Sequence, residues 1–426
     1  MTNQSLSSRS IARRSGGDAQ PKRTTDANLG YFATLDKPLV LIVGLLLAIG
    51  AGMVFSTTFN WSLEARGTST AIFVQDHVRN MVIALGAATF FALVDYRFWR
   101  RFAPLLLVAT IGALIAVLLF GDDTFGARRA LIGGRLQPGE LAEFTMVLYM
   151  ASWLSAKRTR VDSFIFGLIP FMMILLSVIV WIVLQPDIST VVIILSTTVA
   201  MYFLAGARIW HLVTIALLGV VFGFILVNTQ AYAQTRVDSY LASLRDPTLA
   251  NYHTQQVITA FVTGGWFGKG LGQGTQKFNN ALPAPHTDSI FAVIGEELGV
   301  IGASVVVLLF VALVMRGFRI GQRAVDPFGA LLAMGLTLWV AVQALLNIAV
   351  MAAVIPSTGL PLPFISYGGS ALLVSMTGVG LLLSINRVAT LRESQNQRRQ
   401  DGSTHTGGWG NRRTRLSRAR RRRSTT

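Results

Sequence analysis

The sequence predicts an all-α polytopic membrane protein with about ten transmembrane helices and a large extracytoplasmic loop between the seventh and eighth. Three observations predict it. The chain is 52% hydrophobic and only 13% charged, whereas a soluble domain is usually about a quarter charged. The apolar residues come in long runs, not in one stripe per helix. Lys and Arg recur in alternate connections, as the positive-inside rule requires.

The runs lie near 38–58, 78–96, 102–120, 139–156, 163–184, 188–206, 209–229, 288–315, 328–354 and 368–386. A span needs about 20 residues at 1.5 Å rise. Only Gln185-Pro186-Asp187 separates the fifth run from the sixth, so they form a tight hairpin broken at proline. With the N-terminus inside, the inner connections hold Arg97, Arg100 and Arg101; Lys157, Arg158 and Arg160; Arg208; and Arg316, Arg319 and Arg323. One outer connection, 121–138, breaks the rule with Arg128, Arg129 and Arg135, which gives these charges another task.

Three regions are expected: a disordered cytoplasmic tail over 1–37, a membrane domain over 38–387 containing the outer loop 230–287, and a basic disordered cytoplasmic tail over 388–426. Much of the net charge of +17 sits in the tails. On a membrane protein such charge marks the cytoplasmic side and touches anionic lipid, so no nucleic-acid partner is expected. The N-terminus lacks the early apolar core of a signal peptide. Absence of cysteine excludes disulfides and thiol catalysis. No nucleotide site is visible, and no organic cofactor is expected.

Polar residues gather at the outer ends of the runs. In GARRALIGGRLQPGELAEF (126–144), the paired Arg128 and Arg129 can fork onto a pyrophosphate or touch lipid headgroups. Gln137 and Glu140 cap the following helix or join a polar site, and Glu143 lies one turn deeper, where a carboxylate needs a partner. Asp187 in LQPDIST reads as a helix cap or a site residue. GGWFGKGLGQGTQ (264–276) has six glycines and Lys269, and fits a surface turn better than a phosphate cradle; it is not a Walker loop.

ALPAPHTDSIFAVIGEELG (281–299) enters the eighth run with Thr287 or Asp288 as a cap candidate. On one unbroken helix, Glu296 and Glu297 lie about 12–14 Å deeper and about 80° and 180° round from Asp288. One should line a cavity and the other tie the helix to a neighbour. The run 347–373 holds Pro356, Pro361 and Pro363, which forbid a straight helix. Irregular backbone at membrane depth folds against protein or a water-filled cavity.

Together, GARR, QPGE, LQPD, GGWFGKGLGQGTQ, HTDSIFAVIGEELG and PSTGLPLPFISYGG resemble the SEDS family of peptidoglycan glycosyltransferases, FtsW, RodA and SpoVE, over about residues 38–387. The resemblance implies an outward-facing cavity and polymerisation of lipid II into glycan strands, in cell division or cell-shape maintenance. It implies a bacterial cytoplasmic membrane location with both termini cytoplasmic. Implied partners are lipid II, the polyprenyl-linked strand, a class B penicillin-binding transpeptidase and divisome or elongasome proteins. Asp288 matches the family's essential aspartate, acting as base or holding a divalent cation, Mg or Mn. Arg128, Arg129, Gln137, Glu140, Lys269, His286, Thr287, Ser366 and Tyr367 match its cavity motifs, with Asp187, Glu296 and Glu297 in support. Ala130, Glu143 and Ala284 depart from the family pattern, which has an aromatic, a lysine and a glutamate there. Glu143 reverses a charge, and Arg135 is one candidate to supply the missing cation. The alternatives are a lipid II flippase, which needs a polar path at both faces, and a structural scaffold.

Overall fold

The computed structural model describes residues 34–65, 71–124, 127–130, 137–156, 160–246, 250–278 and 282–421. The apolar runs form helices α1 (Lys37–Ala65), α2 (Ala71–Leu93) and α3 (Tyr96–Phe120), then a small hairpin of β1 (Asp122–Thr124) and β2 (Ala127–Ala130). Next come α4 (Pro138–Leu154), α5 (Ile169–Val183, entered through a wide turn at Phe164–Leu168), α6 (Ile188–Leu204) and α7 (Ile209–Thr229). The long connection carries α8 (Ala231–Arg245) and α9 (Tyr252–Gly264). The chain then re-enters as α10 (Ile290–Glu297) and α11 (Gly299–Arg323), and ends with α12 (Pro327–Met351) and α13 (Gly369–Arg421).

Seven of these helices, among the described residues, are long and apolar enough to cross a membrane. The other three expected spans have physical reasons for falling short. Helices α4 and α6 have 17 residues each, and α2 carries Gln75-Asp76-His77, then Arg79 and Asn80, within its first three turns. The chain is a multi-pass, all-helical membrane protein apart from the hairpin.

Two expectations need correction. The eighth run is not one helix: it breaks between Glu297 and Gly299, where Gly299 adopts φ +71. The last helix does not stop at 387; residues 388–401 contain no proline or glycine, and the helix continues through them.

Apolar side chains gain little by leaving lipid, so close backbone approach and interhelical polar bonds hold such a bundle. A side chain at Gly317 would clash with the Thr337 side chain of α12, and one at Gly380 of α13 would clash with the Ala88 carbonyl of α2, so both helix pairs meet closely. Polar ties fasten one end. Arg316 grips Asp36 at 2.8 Å, Arg97 grips Asp326 at 2.7 Å, and Ser384 bridges Val94 and Tyr96. These are connections the sequence reading put inside. The opposite end gathers the starts of α2, α4, α6 and α10, the helices α8 and α9, and the segment 355–368.

Candidate active site

At that opposite end a cavity of about 540 Å³ opens. Its lining includes Gln137 at the cap of α4, Glu140 in its first turn, His286, Thr287 and Asp288 before α10, and Tyr367 before α13. These six were singled out from sequence, and the fold brings them together from three separate stretches. The cavity also takes Asp76, Arg79 and Asn80 from α2, and Ser370 from α13. Asp76 lies just before the predicted second run, Arg79 and Asn80 lie at its start, and Ser370 lies at the start of the last one. A polar cluster at the mouth of an apolar run was the available signal.

Asp288 does not cap a helix. Helix α10 begins at Ile290, and Asp288 sits in the preceding turn, where Ala284 takes a left-handed φ of +46. The turn is held from below. Ser366 Oγ donates to Thr287 O at 2.6 Å and accepts from Leu362 N at 2.7 Å. Tyr367 N donates to His286 O at 2.8 Å. Asn347 Nδ2 of α12 donates to Asp288 O at 2.8 Å and Leu360 O at 2.6 Å. The proline-broken segment is therefore a clamp on the Asp288 turn, with Ser366 buried beneath the cavity and Tyr367 on its wall. The Tyr367 ring packs against His286 and His77, centroids 5.8 Å away in each case. Replacing Ser366 by Ala should cost about 1–3 kcal/mol, because it strands a buried amide and a carbonyl. Ser366→Thr, which keeps the hydroxyl, should lose less; the thermal midpoints of the two purified variants check this.

Burial pushes the Asp288 carboxyl above the usual aspartate range. The charges of His253 and Arg236 and the hydrogen bond from Thr287 offset part of the shift. Burial also pushes the His286 imidazole down, favouring its neutral form. Glu140 is held by Ser370, and its Oε2 has no hydrogen-bond partner among the described residues. Arg79 brings a cation into the cavity and lies 3.0 Å from Asp76. Glu143 accepts from Trp339 Nε1 at 2.6 Å in the bundle interior, away from the cavity wall.

Other singled-out residues sit elsewhere. Asp187 accepts from Thr190 N and Oγ1 as the cap of α6. It lies beside the start of α4, where a side chain at Gly139 would come 3.7 Å from its carboxylate. Arg128 and Arg129 lie in β2 of the hairpin between α3 and α4, next to Ala130. Arg135 lies outside the described residues.

Glu296 and Glu297 correct the expectation that one would line the cavity. Both are fully buried in the loop side of α10. Glu296 accepts from Lys269 Nζ at 2.8 Å, from Thr275 N at 2.8 Å and from Gln276 N at 3.1 Å. Glu297 accepts from Lys277 Nζ at 2.6 Å, from Ser56 Oγ of α1 at 2.7 Å and from Gly272 N at 3.0 Å. Lys269 is therefore a structural counter-ion and is not brought to the cavity. The glycine-rich run does cradle anions with its amides, but they are the chain's own carboxylates. Its glycines are needed for contact: a side chain at Gly268, whose φ is +77, would lie 2.2 Å from Glu297 O.

No group of three or more His, Asp or Glu that could hold a metal ion occurs among the described residues.

The profile of the family described as "Cell cycle protein" (FtsW/RodA/SpoVE) matches residues 37–391. Stage V sporulation protein E of Bacillus subtilis is 38% identical over 357 residues, covering 83% of this chain and 97% of that protein. A probable peptidoglycan glycosyltransferase FtsW of Aliivibrio salmonicida is 34% identical, covering 82% of this chain and 88% of that one. Among solved structures, a chain from "Structural coordination of polymerization and crosslinking by a peptidoglycan synthase complex" superposes with a TM-score of 0.69 at 25% identity, covering 83% of this chain and 98% of that one. The match spans the membrane helices, the long loop and the cavity motifs alike, and the chain belongs to the FtsW/RodA/SpoVE family.

Proposed function

We propose that this chain is a peptidoglycan glycosyltransferase that polymerises lipid II into glycan strands at the outer face of the bacterial cytoplasmic membrane. The observation that carries the proposal is the cavity: a buried carboxylate, Asp288, held in a clamped turn, faces a space lined by polar side chains at one end of the bundle. In the reaction, the acceptor's GlcNAc 4-hydroxyl attacks C1 of the donor MurNAc. The bond from C1 to the pyrophosphate oxygen breaks, and polyprenyl pyrophosphate leaves. The hydroxyl proton passes to Asp288, whose raised pKa suits a base better than an ordinary aspartate. Arg79 supplies positive charge for the pyrophosphate within the cavity. Arg128 and Arg129, in the hairpin between α3 and α4, are further candidates for that charge by the family resemblance. A class B transpeptidase is the proposed partner, in keeping with the coordinated polymerisation and crosslinking of the synthase complex that superposes on this chain. Division or cell-shape maintenance is the setting.

The flippase reading predicts polar paths at both ends. Here the cavity lies at one end, and at the other the described polar groups tie helices to one another through the Arg316–Asp36 and Arg97–Asp326 pairs and Ser384. Lipid II supplied to the chain in liposomes, with its transpeptidase, should yield glycan strands. Translocation without strands would overturn the proposal.

A pH dependence follows. The rate needs unprotonated Asp288, so it rises with pH through the folded pKa, which lies above the ordinary aspartate value of about 3.9. Arg236 holds that pKa down. Arg236→Gln should therefore move the acid limb of kcat to higher pH, as read from kcat profiles of the two proteins.

A further inference from the structure

We propose that His253, on the long loop, is a positioning residue for Asp288, acting through Ser289; the proposal rests on the reading of Asp288 as the base. His253 lies in the first turn of α9, whose start is fixed by Asn251 Oδ1 accepting from Thr254 N at 2.8 Å. Its Nε2 is 2.9 Å from Ser289 Oγ. That hydroxyl is fully buried and donates its one hydrogen to Pro283 O at 2.7 Å. It must then accept from His253, which places a proton on Nε2.

Ser289 occupies the position before α10 at which a serine ordinarily caps the helix, yet it makes no capping hydrogen bond. Its hydroxyl is diverted to the loop. The result is a latch across the turn 283–289, with Asp288 beside it. Asn347 and Ser366 hold the same turn from the bundle side. His253 is the corresponding hold from the loop side. Among the described residues, the charged groups that interact with it are Asp288 and, from α8, Arg236.

The effect of such a latch is on the geometry of the base, and small displacements of a base are felt in the chemical step rather than in binding. The test is lipid II polymerisation by the full chain with its transpeptidase, read as kcat and KM. His253→Ala should lower kcat about tenfold with KM within about twofold, the order expected for one lost orienting hydrogen bond. His253→Gln retains an N–H donor and should recover to within about threefold of the wild type. Ser289→Ala, which also removes the bond to Pro283 O, should lose at least as much as His253→Ala, and the double variant should lose little more than Ser289→Ala alone, because both cut the same latch. Wild-type kcat in His253→Ala, failure of glutamine to rescue, or fully additive losses would overturn the proposal. So would a loss explained by a lowered thermal midpoint alone. Asp288→Asn in the same assay separates the two readings. If it is inactive while His253→Ala is unaffected, only the latch fails. If it is active, the base assignment fails first.

Discussion

Lys277→Met should destabilise the folded chain by about 3–5 kcal/mol, because it leaves Glu297 buried without its cation. The side chains of this pair are 1% and 0% exposed, 2.6 Å apart. Lys277 also donates to Ser56 Oγ at 2.8 Å and to Gly272 O at 2.9 Å. The pair thus joins the glycine-rich loop, the end of α10 and helix α1. Removing both charges is a different matter, since a buried pair is costly to desolvate in the first place. Lys277→Met combined with Glu297→Leu should recover much of the loss. Thermal midpoints in detergent, compared for the single and double variants, check both statements. By contrast, Lys269 is 29% exposed in its pair with Glu296, and Glu296 keeps two backbone amides. Lys269→Met should cost less than Lys277→Met.

Asp288→Asn should abolish polymerisation while leaving the fold intact. A positioned general base is worth about 10²–10⁴ in rate, and asparagine has the size of aspartate without the proton affinity. The clamps on the turn run through the backbone carbonyls of His286, Thr287 and Asp288, which asparagine keeps. Replacement also removes the charge that interacts with His253 and Arg236, with no packing atom lost. The loss should therefore appear in kcat, with lipid II binding retained.

Much of the fold was legible because a bilayer imposes length and polarity on every span. The ten runs recur as helices α1–α7, the broken pair α10 and α11, and α12 and α13. Within the site, HTD, QPGE and the tyrosine of ISYGG were visible as polar groups at the ends of apolar runs, and they meet in one cavity. What stayed hidden depends on distant partners or on where a helix begins. The phase argument for Glu296 and Glu297 assumed one helix from Asp288 onward, whereas Asp288 sits in a turn and α10 begins only at Ile290. Their counter-ions, Lys269 and Lys277, come from a loop whose spacing carries no periodic signal. Asp76 and Arg79 flank the start of an apolar run without belonging to any of the motifs that mark the site. His253 was hidden because its partner Ser289 looked like an ordinary helix cap.

The most direct test is the rate of glycan-strand formation from lipid II by wild type and Asp288→Asn, purified alike with the transpeptidase partner. Lipid II binding should be measured on the same samples. The account predicts strands from the wild type, none above background from Asp288→Asn, and equal binding. Strands from Asp288→Asn at the wild-type rate would contradict it.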